Sequence, residues 1–437
     1  MKKYFLISLL IFSFTAIQAQ QFVVSGGQKS VLFESPDADS GVDTIAILYG
    51  MENATITFES NSSSPMSWFR YTTNPFDRTP LSGSQIGNRT TLSNGIQANS
   101  GYGVTVDSKT YFIWLFDYTQ YLPASVSVSS ANDNLCEEVL LNVVAPKFSM
   151  KYISAGSAIS FVVKNRNIPL KYKTMKFDDA SKMFVDEEKT LLLSELVSNP
   201  RIAEAPLRNT TFSLGDDRFA LLWGLNRTIV SDELPGKAVK AESEAKHVVR
   251  DVDNEVDKEV GELGGSAPVD LEFKAYANEP VATYYTWQIA SDKEFKNILA
   301  TYPDKELRYT FNNFGKYSVR LLVSNSANSC VDSSQVYEDI EITDSKLLAP
   351  NAFSPNGDGK NDEFKVMYKS ILSFEGWIFN RWGNELFHWT DPAKGWDGKA
   401  GGKYVTPGVY FYIFEATGSD GVKHKLKGSV NVFSKKE

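Results

Sequence analysis

The chain has 437 residues, a formal net charge of −8 and an aromatic content of 13%. A chain of this length exceeds what one hydrophobic core usually organises, so several domains are expected. The acidic balance gives no basic footprint for nucleic acid and argues against that partner. Phe (28) and Tyr (20) far outnumber Trp (8). Together with alternating Val, Ile and Thr, this composition favours β-structure over helices.

Residues 1–19 have the three-part layout of a secretory signal peptide. Two lysines precede an apolar run from Tyr4 to Ala16, and Ala19 offers a small residue at the cleavage point. The run is too short to span a membrane. The sequence therefore predicts an exported chain that begins after Ala19.

The first half of the exported chain is predicted to hold two β-domains. Residues 20–145 contain short β-rich stretches between turn clusters, including alternating Ser125–Val128, which is typical of an immunoglobulin-like sandwich. Residues 146–249 predict a second β-domain, closed by a strand where small and charged residues alternate between 237 and 249. Residues 250–266 are acidic and are predicted to be a solvated linker.

Residues 267–345 carry the pattern of another sandwich. Trp287 lies on an alternating stretch, and Phe314, Gly315 and Tyr317 form a turn into a second one. This pattern resembles a PKD-like domain, an immunoglobulin relative that is common in surface proteins. The resemblance implies a third β-sandwich.

The two cysteines, Cys136 and Cys330, lie far apart in the sequence. A secreted domain held together by disulfides would carry more of them. We therefore expect two separate buried thiols, and a long-range bridge between Cys136 and Cys330 is the alternative.

The last ninety residues or so contain five short blocks that are rich in Gly, Pro, Asn and aromatic residues. Their members are Pro350, Asn351, Phe353, Pro355, Asn356, Gly357, Asp358, Gly359, Asn361, Asp362, Asn380, Arg381, Trp382, Gly383, Trp396, Gly398, Gly408, Tyr410 and Gly428. In this order and at these spacings the blocks resemble the gliding-motility-associated C-terminal domain, the type B sorting signal of the type IX secretion system. The resemblance assigns residues 346–437 to a small, Ig-like β-module.

This resemblance implies a route and partners for the chain. Type B signals are recognised by the type IX secretion translocon, and they work with an outer-membrane protein of the PorP/SprF type. We therefore expect the protein to pass through the periplasm and to be secreted or held at the cell surface, in association with the outer membrane.

The block around Asn356 is interpreted first as turn chemistry. Gly357 and Gly359 can adopt positive φ at low steric cost, so the chain can reverse tightly there. A calcium site is the second interpretation, because Asn356, Asp358 and Asp362 place side-chain oxygens around a Gly-rich turn. The loop lacks the bidentate Glu of an EF-hand. Calcium is the only cofactor that the sequence suggests.

Motifs of common catalytic sites are missing from the sequence. It has three histidines without a His-Glu-x-x-His pattern, and it has no Gly-x-Ser-x-Gly elbow. The neighbouring carboxylates Asp216 and Asp217 could be imagined as a glycosidase pair, but adjacent residues on a strand point to opposite faces. The aromatic stretches around Trp68 and between Tyr111 and Tyr121 could stack sugars, although aromatic residues in a sandwich more often fill the core. No catalytic residue is predicted.

The predicted fold is all-β, with tandem immunoglobulin-like and PKD-like sandwiches before the small C-terminal module. The predicted function is that of a non-enzymatic surface protein with a structural or adhesive role and a glycan or protein ligand. Two alternatives stay open at this point. One is a glycan-acting enzyme whose site lies in residues 20–249, and the other is an accessory component of the export or gliding machinery.

Overall fold

The computed structural model describes residues 21–131, 133–248 and 250–433. The predicted signal peptide lies outside these residues. The described chain is built almost entirely of strands, so the all-β prediction is confirmed. No helix among the described residues is both long and apolar enough to cross a membrane. The chain divides into two compact units: unit 1 is Met1–Thr174, Glu188–Ala205 and Asn209–Pro235, and unit 2 is Met175–Glu187, Pro206–Arg208 and Gly236–Glu437.

Unit 1 begins with two sheets that enclose a core. The strands are β1 (Phe22–Ser25), β2 (Leu32–Glu34), β3 (Thr44–Leu48), β4 (Thr55–Glu59), β5 (Ser67–Tyr71), β6 (Thr79–Leu81), β7 (Ser84–Ile86), β8 (Arg89–Leu92), β9 (Ser100–Val106) and β10 (Lys109–Asp117). One sheet has the order β1-β4-β8-β7 and the other β2-β3-β10-β9-β5-β6. Ile56 and Phe58 of the first sheet pack with Leu115 of the second, because alternate residues of a strand face the same side.

The chain from residue 125 to residue 235 adds short strands and one short helix. These are β11 (Ser125–Val128), β12 (Val139–Val144), β13 (Lys151–Ile153), β14 (Ser160–Val162), β15 (Ile168–Asp178), β16 (Met183–Leu193), β17 (Arg201–Ile202), β18 (Ser213–Gly215), α1 (Arg218–Leu222) and β19 (Thr228–Val230). All of them lie in unit 1 except the end of β15 and the start of β16, which fall within Met175–Glu187 of unit 2. A second core joins Trp114 and Phe116 of the first sandwich to Tyr152, Phe219 and Trp223. The two parts of unit 1 therefore share buried surface.

The last strands predicted for the first sandwich have other partners. β11 and β12 form a three-stranded sheet with β17, in the order β11-β12-β17, and Val139 lies opposite Ile202. The alternation in Ser125–Val128 does give a strand with one buried face, as expected. It does not reveal which strand lies beside it, because the partner is distant in sequence.

Unit 2 contains a sandwich in residues 241–342. Its strands are β20 (Ala241–His247), β21 (Val269–Ala277), β22 (Ala282–Ala290), β23 (Ile298–Tyr302), β24 (Glu306–Phe311), β25 (Gly315–Asn325), β26 (Val331–Asp332) and β27 (Val336–Ile342). The sheet β20-β21-β24 faces the sheet β23-β22-β25-β26, in which β27 also pairs with β25. Trp287 is fully buried in the core between them, 5.4 Å from Phe273 by ring centroids.

The strand predicted between residues 237 and 249 exists as β20, but its predicted domain is wrong. It pairs along its length with β21, where Ala245 lies opposite Phe273. It therefore belongs to the sandwich of unit 2 and does not close the second domain. The strict alternation predicted a strand with one solvent-exposed face. It did not predict that this strand pairs with β21.

The C-terminal module follows directly in unit 2. Its strands are β28 (Lys346–Leu348), β29 (Ala352–Phe353), β30 (Met367–Lys369), β31 (Ile371–Phe379), β32 (Glu385–Trp389), β33 (Lys399–Ala400), β34 (Lys403–Tyr404), β35 (Gly408–Gly418) and β36 (Lys423–Val432). The main sheet has the order β29-β36-β35-β31-β32. β29 is parallel to β36, and β36 is antiparallel to β35. One face of this sheet covers a core that includes Phe364, Phe374 and Phe414.

The acidic segment 250–266 is docked against this module, so its prediction as a solvated linker is wrong. The Asn254 side chain donates to the backbone oxygens of Val366 and Pro392, both at 2.7 Å. Glu255 is 5% exposed and accepts hydrogen bonds from Arg250 and Ser266, each at 2.6 Å. Most of the acids in the segment face solvent, while these two neighbouring side chains are buried. The acidic composition of the segment therefore did not reveal that Asn254 and Glu255 are buried.

The cysteines also differ from the expectation. Cys136 and Cys330 are both disulfide-bonded, and neither is a free thiol. The prediction of two separate buried thiols is wrong. Whether a cysteine is bonded cannot be read from local sequence patterns.

The bonded cysteines can be tested by counting thiols. When the purified protein is unfolded in denaturant without reductant, we expect a maleimide reagent to add to neither cysteine. After reduction both cysteines should be labelled, which intact mass spectrometry measures directly. Labelling of both thiols before reduction would restore the original prediction.

The docked segment gives a second prediction. Asn254→Ala removes two hydrogen bonds and leaves two buried carbonyl groups without that partner, which should cost about 1–3 kcal/mol. Hydrogen exchange of the peptides around β30 should therefore accelerate. Asp251→Ala, at an exposed position of the same segment, is the control and should leave exchange unchanged. Equal behaviour of the two variants would mean that the segment is a linker after all.

Candidate functional site

Three aromatic members of the blocks, Phe353, Trp396 and Tyr410, belong to the core of the module. Phe353 and Trp396 lie 5.4 Å apart by ring centroids, and Trp396 and Tyr410 lie 5.5 Å apart. The indole N–H of Trp396 donates to the backbone oxygen of Lys399 at 2.8 Å. The Tyr410 hydroxyl donates to the backbone oxygen of Thr406, also at 2.8 Å. These residues are therefore used to build the fold.

Two glycines of the blocks are required by close approach. Gly398 has φ of 76°, and a Cβ there would lie 2.9 Å from Cγ of Pro355. A Cβ at Gly428 would lie 2.4 Å from the hydroxyl oxygen of Tyr412, which crosses it on the neighbouring strand. At both positions a glycine makes room for a larger side chain, Pro355 at Gly398 and Tyr412 at Gly428.

The remaining members of the first and fourth blocks organise the edges. Pro350 precedes Asn351, whose backbone oxygen accepts from the backbone N–H of Asn431 at 2.9 Å. Gly408 begins β35 opposite Val432. These contacts tie the start of the module to its last strand.

The loop around Asp358 is held by its own side chains. Asp362 accepts from the backbone N–H of Gly357 at 2.5 Å and from that of Gly359 at 2.7 Å. Asn356 accepts from the N–H of Asp358 at 3.1 Å. Gly357 and Gly359 have φ of 77° and 84°, so the predicted positive values are confirmed. Asn361 also has positive φ, and its backbone oxygen accepts from Ser354.

The side-chain oxygens that were considered as calcium ligands are already used as hydrogen-bond acceptors. Both carboxylate oxygens of Asp362 point at backbone N–H groups, and Asp358 accepts from the N–H of Lys360 at 2.8 Å. An ion would have to displace these bonds. In the described part of the chain, no group of three or more His, Cys, Asp or Glu side chains is arranged to hold a metal.

The Asn356 side-chain amide donates to Asp358, and with the N–H of Lys360 it holds the pKa of the Asp358 carboxyl below its usual value. The carboxylate form is therefore favoured in the folded loop. Its stabilising hydrogen bonds are complete at neutral pH, and they are lost only as the pH falls through that lowered pKa.

The second block, Asn380–Gly383, forms an exposed turn between β31 and β32. Asn380 accepts from the backbone N–H groups of Trp382 and Asn384, each at 3.0 Å. Gly383 has φ of 83°. Trp382 is 71% exposed, and the guanidinium carbon of Arg381 lies 4.1 Å from the centre of its ring. The turn thus presents a tryptophan to solvent on a fixed backbone.

Other apolar side chains that are exposed or half-buried lie near this turn. Phe379 is opposite Phe411 in the pairing of β31 with β35. Val409 lies two residues before Phe411 on β35, so both side chains point to the same face. Phe411 is 45% exposed and Phe433 is 63% exposed. We call Phe379, Trp382, Val409, Phe411 and Phe433 the outer-face patch, after Val409 and Phe411, which lie on the side of the sheet away from its core.

The sequence analysis named Trp382 as a signature residue and did not name the other members of this patch as site residues. The signal was present: β35 is apolar on both faces, whereas a strand with one solvated face would alternate. Tyr410 and Phe414 take the inner face, which leaves Val409 and Phe411 outside.

The two carboxylates considered for catalysis have structural roles. Asp217 accepts from Nε of Arg166 at 2.6 Å, and both side chains are 1% exposed. It also accepts from two backbone N–H groups at the start of α1. Asp216 pairs with Arg227 at 2.7 Å. The aromatic residues around Trp68 that were considered for sugar stacking are in the core as expected.

The tightly packed glycine can be tested against a glycine that has only an unusual φ. Gly359→Ala meets nothing within 4 Å, so the cost of the left-handed conformation alone applies, about 1 kcal/mol. Gly398→Ala should cost more, because Pro355 must move as well. Hydrogen exchange of β35 in both variants measures the difference. A smaller effect at Gly398 would contradict the packing described here.

Comparison with known proteins identifies two segments of the chain. Residues 347–432 match the CHU_C type IX secretion signal domain, and residues 127–231 match a fibronectin type III domain. The second match begins before residue 146, where the sequence analysis placed the start of the second domain. Among curated proteins, none matches the chain.

Solved structures of adhesins overlap with much of the chain at low similarity. A tetra-tandem repeat from the extending region of a large adhesion protein is 12% identical, with a TM-score of 0.22, over 89% of this chain and 98% of its own. A Ca²⁺-stabilised adhesin with which an Antarctic bacterium binds ice is 9% identical, with a TM-score of 0.17, over 94% and 100%. At such TM-scores these overlaps say nothing about what this chain binds. The C-terminal match confirms the predicted identity of the last domain: residues 347–432 are a type IX secretion signal domain.

Proposed function

We propose that the C-terminal module directs this protein through the type IX secretion system to the cell surface, where its β-sandwiches act in a structural or adhesive role. The observation that carries the proposal is the match of residues 347–432 to the secretion signal domain, on a module whose five blocks build one compact core. A PorP/SprF-type outer-membrane protein then holds the chain at the outer membrane.

The outer-face patch is the part of the module that contacts the secretion machinery. It brings five apolar side chains to one end of the sheet, and contiguous exposed apolar surface marks interaction sites. Trp382 projects from a turn fixed by Asn380 and is stacked on Arg381. Tryptophan and arginine are the residues that most often dominate binding energy at protein interfaces.

A structural role is supported by how the chain uses its buried charges. Asp216 and Asp217, the neighbouring carboxylates considered for a glycosidase, are each paired with an arginine, and Asp217 caps a helix. Their task is to hold unit 1 together. In an adhesive role, the sandwiches would bind a ligand on their surface, and they would need no catalytic site.

The export proposal is tested by removing and transplanting the module. In a bacterium with a type IX system, the chain lacking residues 346–437 should remain in the periplasm. Fusion of residues 236–437 to an unrelated periplasmic protein should bring that protein to the surface. Residues 346–437 alone should do so less well, because Val252 and Asn254 would be missing from the module. Surface delivery of the truncated chain would refute the proposal.

The outer-face patch is tested by a single exposed side chain. Trp382→Ala should leave the module folded and reduce surface delivery about tenfold or more, as expected for the loss of an interface anchor. Phe76→Ala is the matched control, since Phe76 is 70% exposed in unit 1. Protease accessibility on intact cells measures both. Normal delivery of Trp382→Ala would place the recognition surface elsewhere on the module.

A further inference from the structure

Unit 1 contains an open groove of about 400 Å³. It lies between the end of β10 with its following turn, which supply Trp114 and Tyr121, and the segment that leads into β13. Phe148 of that segment forms a wall, and Asn99 lines the groove as well. The size is that of sites for small molecules, which often lie where two domains meet.

The charge of the groove is opposite to that of the chain. Lys147 and Lys151 are exposed and line it, and the lining includes no carboxylate. Among the residues that the structure describes, neither lysine has an acidic group within ion-pair distance, although many other lysines do. The net charge of the chain is −8. Two uncompensated cations at a concave site favour an anionic group.

The walls of the groove are fixed by a buried cation beneath them. Arg166 donates to the backbone oxygen of Phe148 at 3.1 Å and to that of Tyr121 at 3.2 Å. Its Nε is bonded to Asp217, and both side chains are almost fully buried. The backbone N–H of Lys147 donates to the backbone oxygen of Gln120 at 2.8 Å. The groove is therefore preorganised, which lowers the entropic cost of binding.

The groove also offers neutral polar groups beside its aromatic rings. The Tyr121 hydroxyl donates to Oδ1 of Asn99 at 2.7 Å, which orients that amide. Amide groups and aromatic rings together suit a ligand that has hydroxyls on its edges and C–H groups on its faces.

We propose that this groove binds an acidic sugar unit of a polysaccharide, with its carboxylate at Lys147 and Lys151 and its ring against Phe148. This inference rests on the proposed surface role and names the ligand class for it. A sugar ring satisfies the aromatic walls and the amide together, and a carboxylate on the ring satisfies the two lysines.

The test is the binding of oligogalacturonate to the purified chain lacking the predicted signal peptide, measured by isothermal titration calorimetry. We expect binding that weakens as salt is added. The methyl-esterified oligomer has the same rings without the charge, and it should bind about tenfold more weakly or worse. Poly-glutamate supplies the charge without the sugar and should bind no better than the ester.

Two variants locate the site. Lys147→Met/Lys151→Met should weaken oligogalacturonate binding about tenfold or more, whereas Lys171→Met/Lys173→Met removes two other exposed lysines of unit 1 and should leave it unchanged. Thr72→Glu places a carboxylate in the lining and keeps both lysines, and it should also abolish binding.

Several outcomes would overturn the inference. One is an equal loss of oligogalacturonate binding in the two double-lysine variants. Others are a methyl ester that binds as tightly as oligogalacturonate, poly-glutamate that binds more tightly than the ester, or no detectable binding of oligogalacturonate. All are measured on purified protein, so they leave the export proposal untouched. Failure of export would likewise leave the binding result standing.

Discussion

Unit 1 depends on one buried ion pair, between Arg166 and Asp217. Removing two charges from water is costly, and the attraction between them compensates only when their other hydrogen-bonding groups are also satisfied. Here they are: Asp217 accepts from Tyr118 and from the start of α1, and Arg166 donates to two carbonyl oxygens. The pair therefore connects the first sandwich, the helix and the segment before β13. Loss of either partner would leave an unpaired charge inside the shared core.

Unit 2 uses a different device to join its parts. The segment 250–266 carries many acids and yet buries Asn254 and Glu255, and it packs the half-buried Val252 against the core of the module. Its backbone also pairs with Tyr368 through Val256. A segment that is polar on average can thus contain a short buried stretch. That stretch connects the secretion signal domain to the residues that precede it.

Local patterns in the sequence predicted what depends on local physics. The positive φ at Gly357 and Gly359, the strand at Ala241–His247 and the buried aromatic residues of the first sandwich follow from neighbouring residues. The partners of β11 and β20 do not, because alternation states that a strand has one buried face and leaves its neighbour open. The burial of Asn254 and the bonding of Cys136 and Cys330 likewise depend on distant parts of the chain. Of the outer-face patch, Trp382 alone is among the signature residues named from the sequence.

The position of β36 in the sheet has a consequence for protein synthesis. β36 is the last strand of the module in sequence, and it lies between β29 and β35 in the sheet. A ribosome that stops before residue 423 would leave β29 without its only partner in that sheet and β35 with a bare edge. The secretion signal domain can therefore form only after β36 has been translated. Products that stop earlier would lack the folded domain, so the synthesis of β36 is the step that completes the export signal.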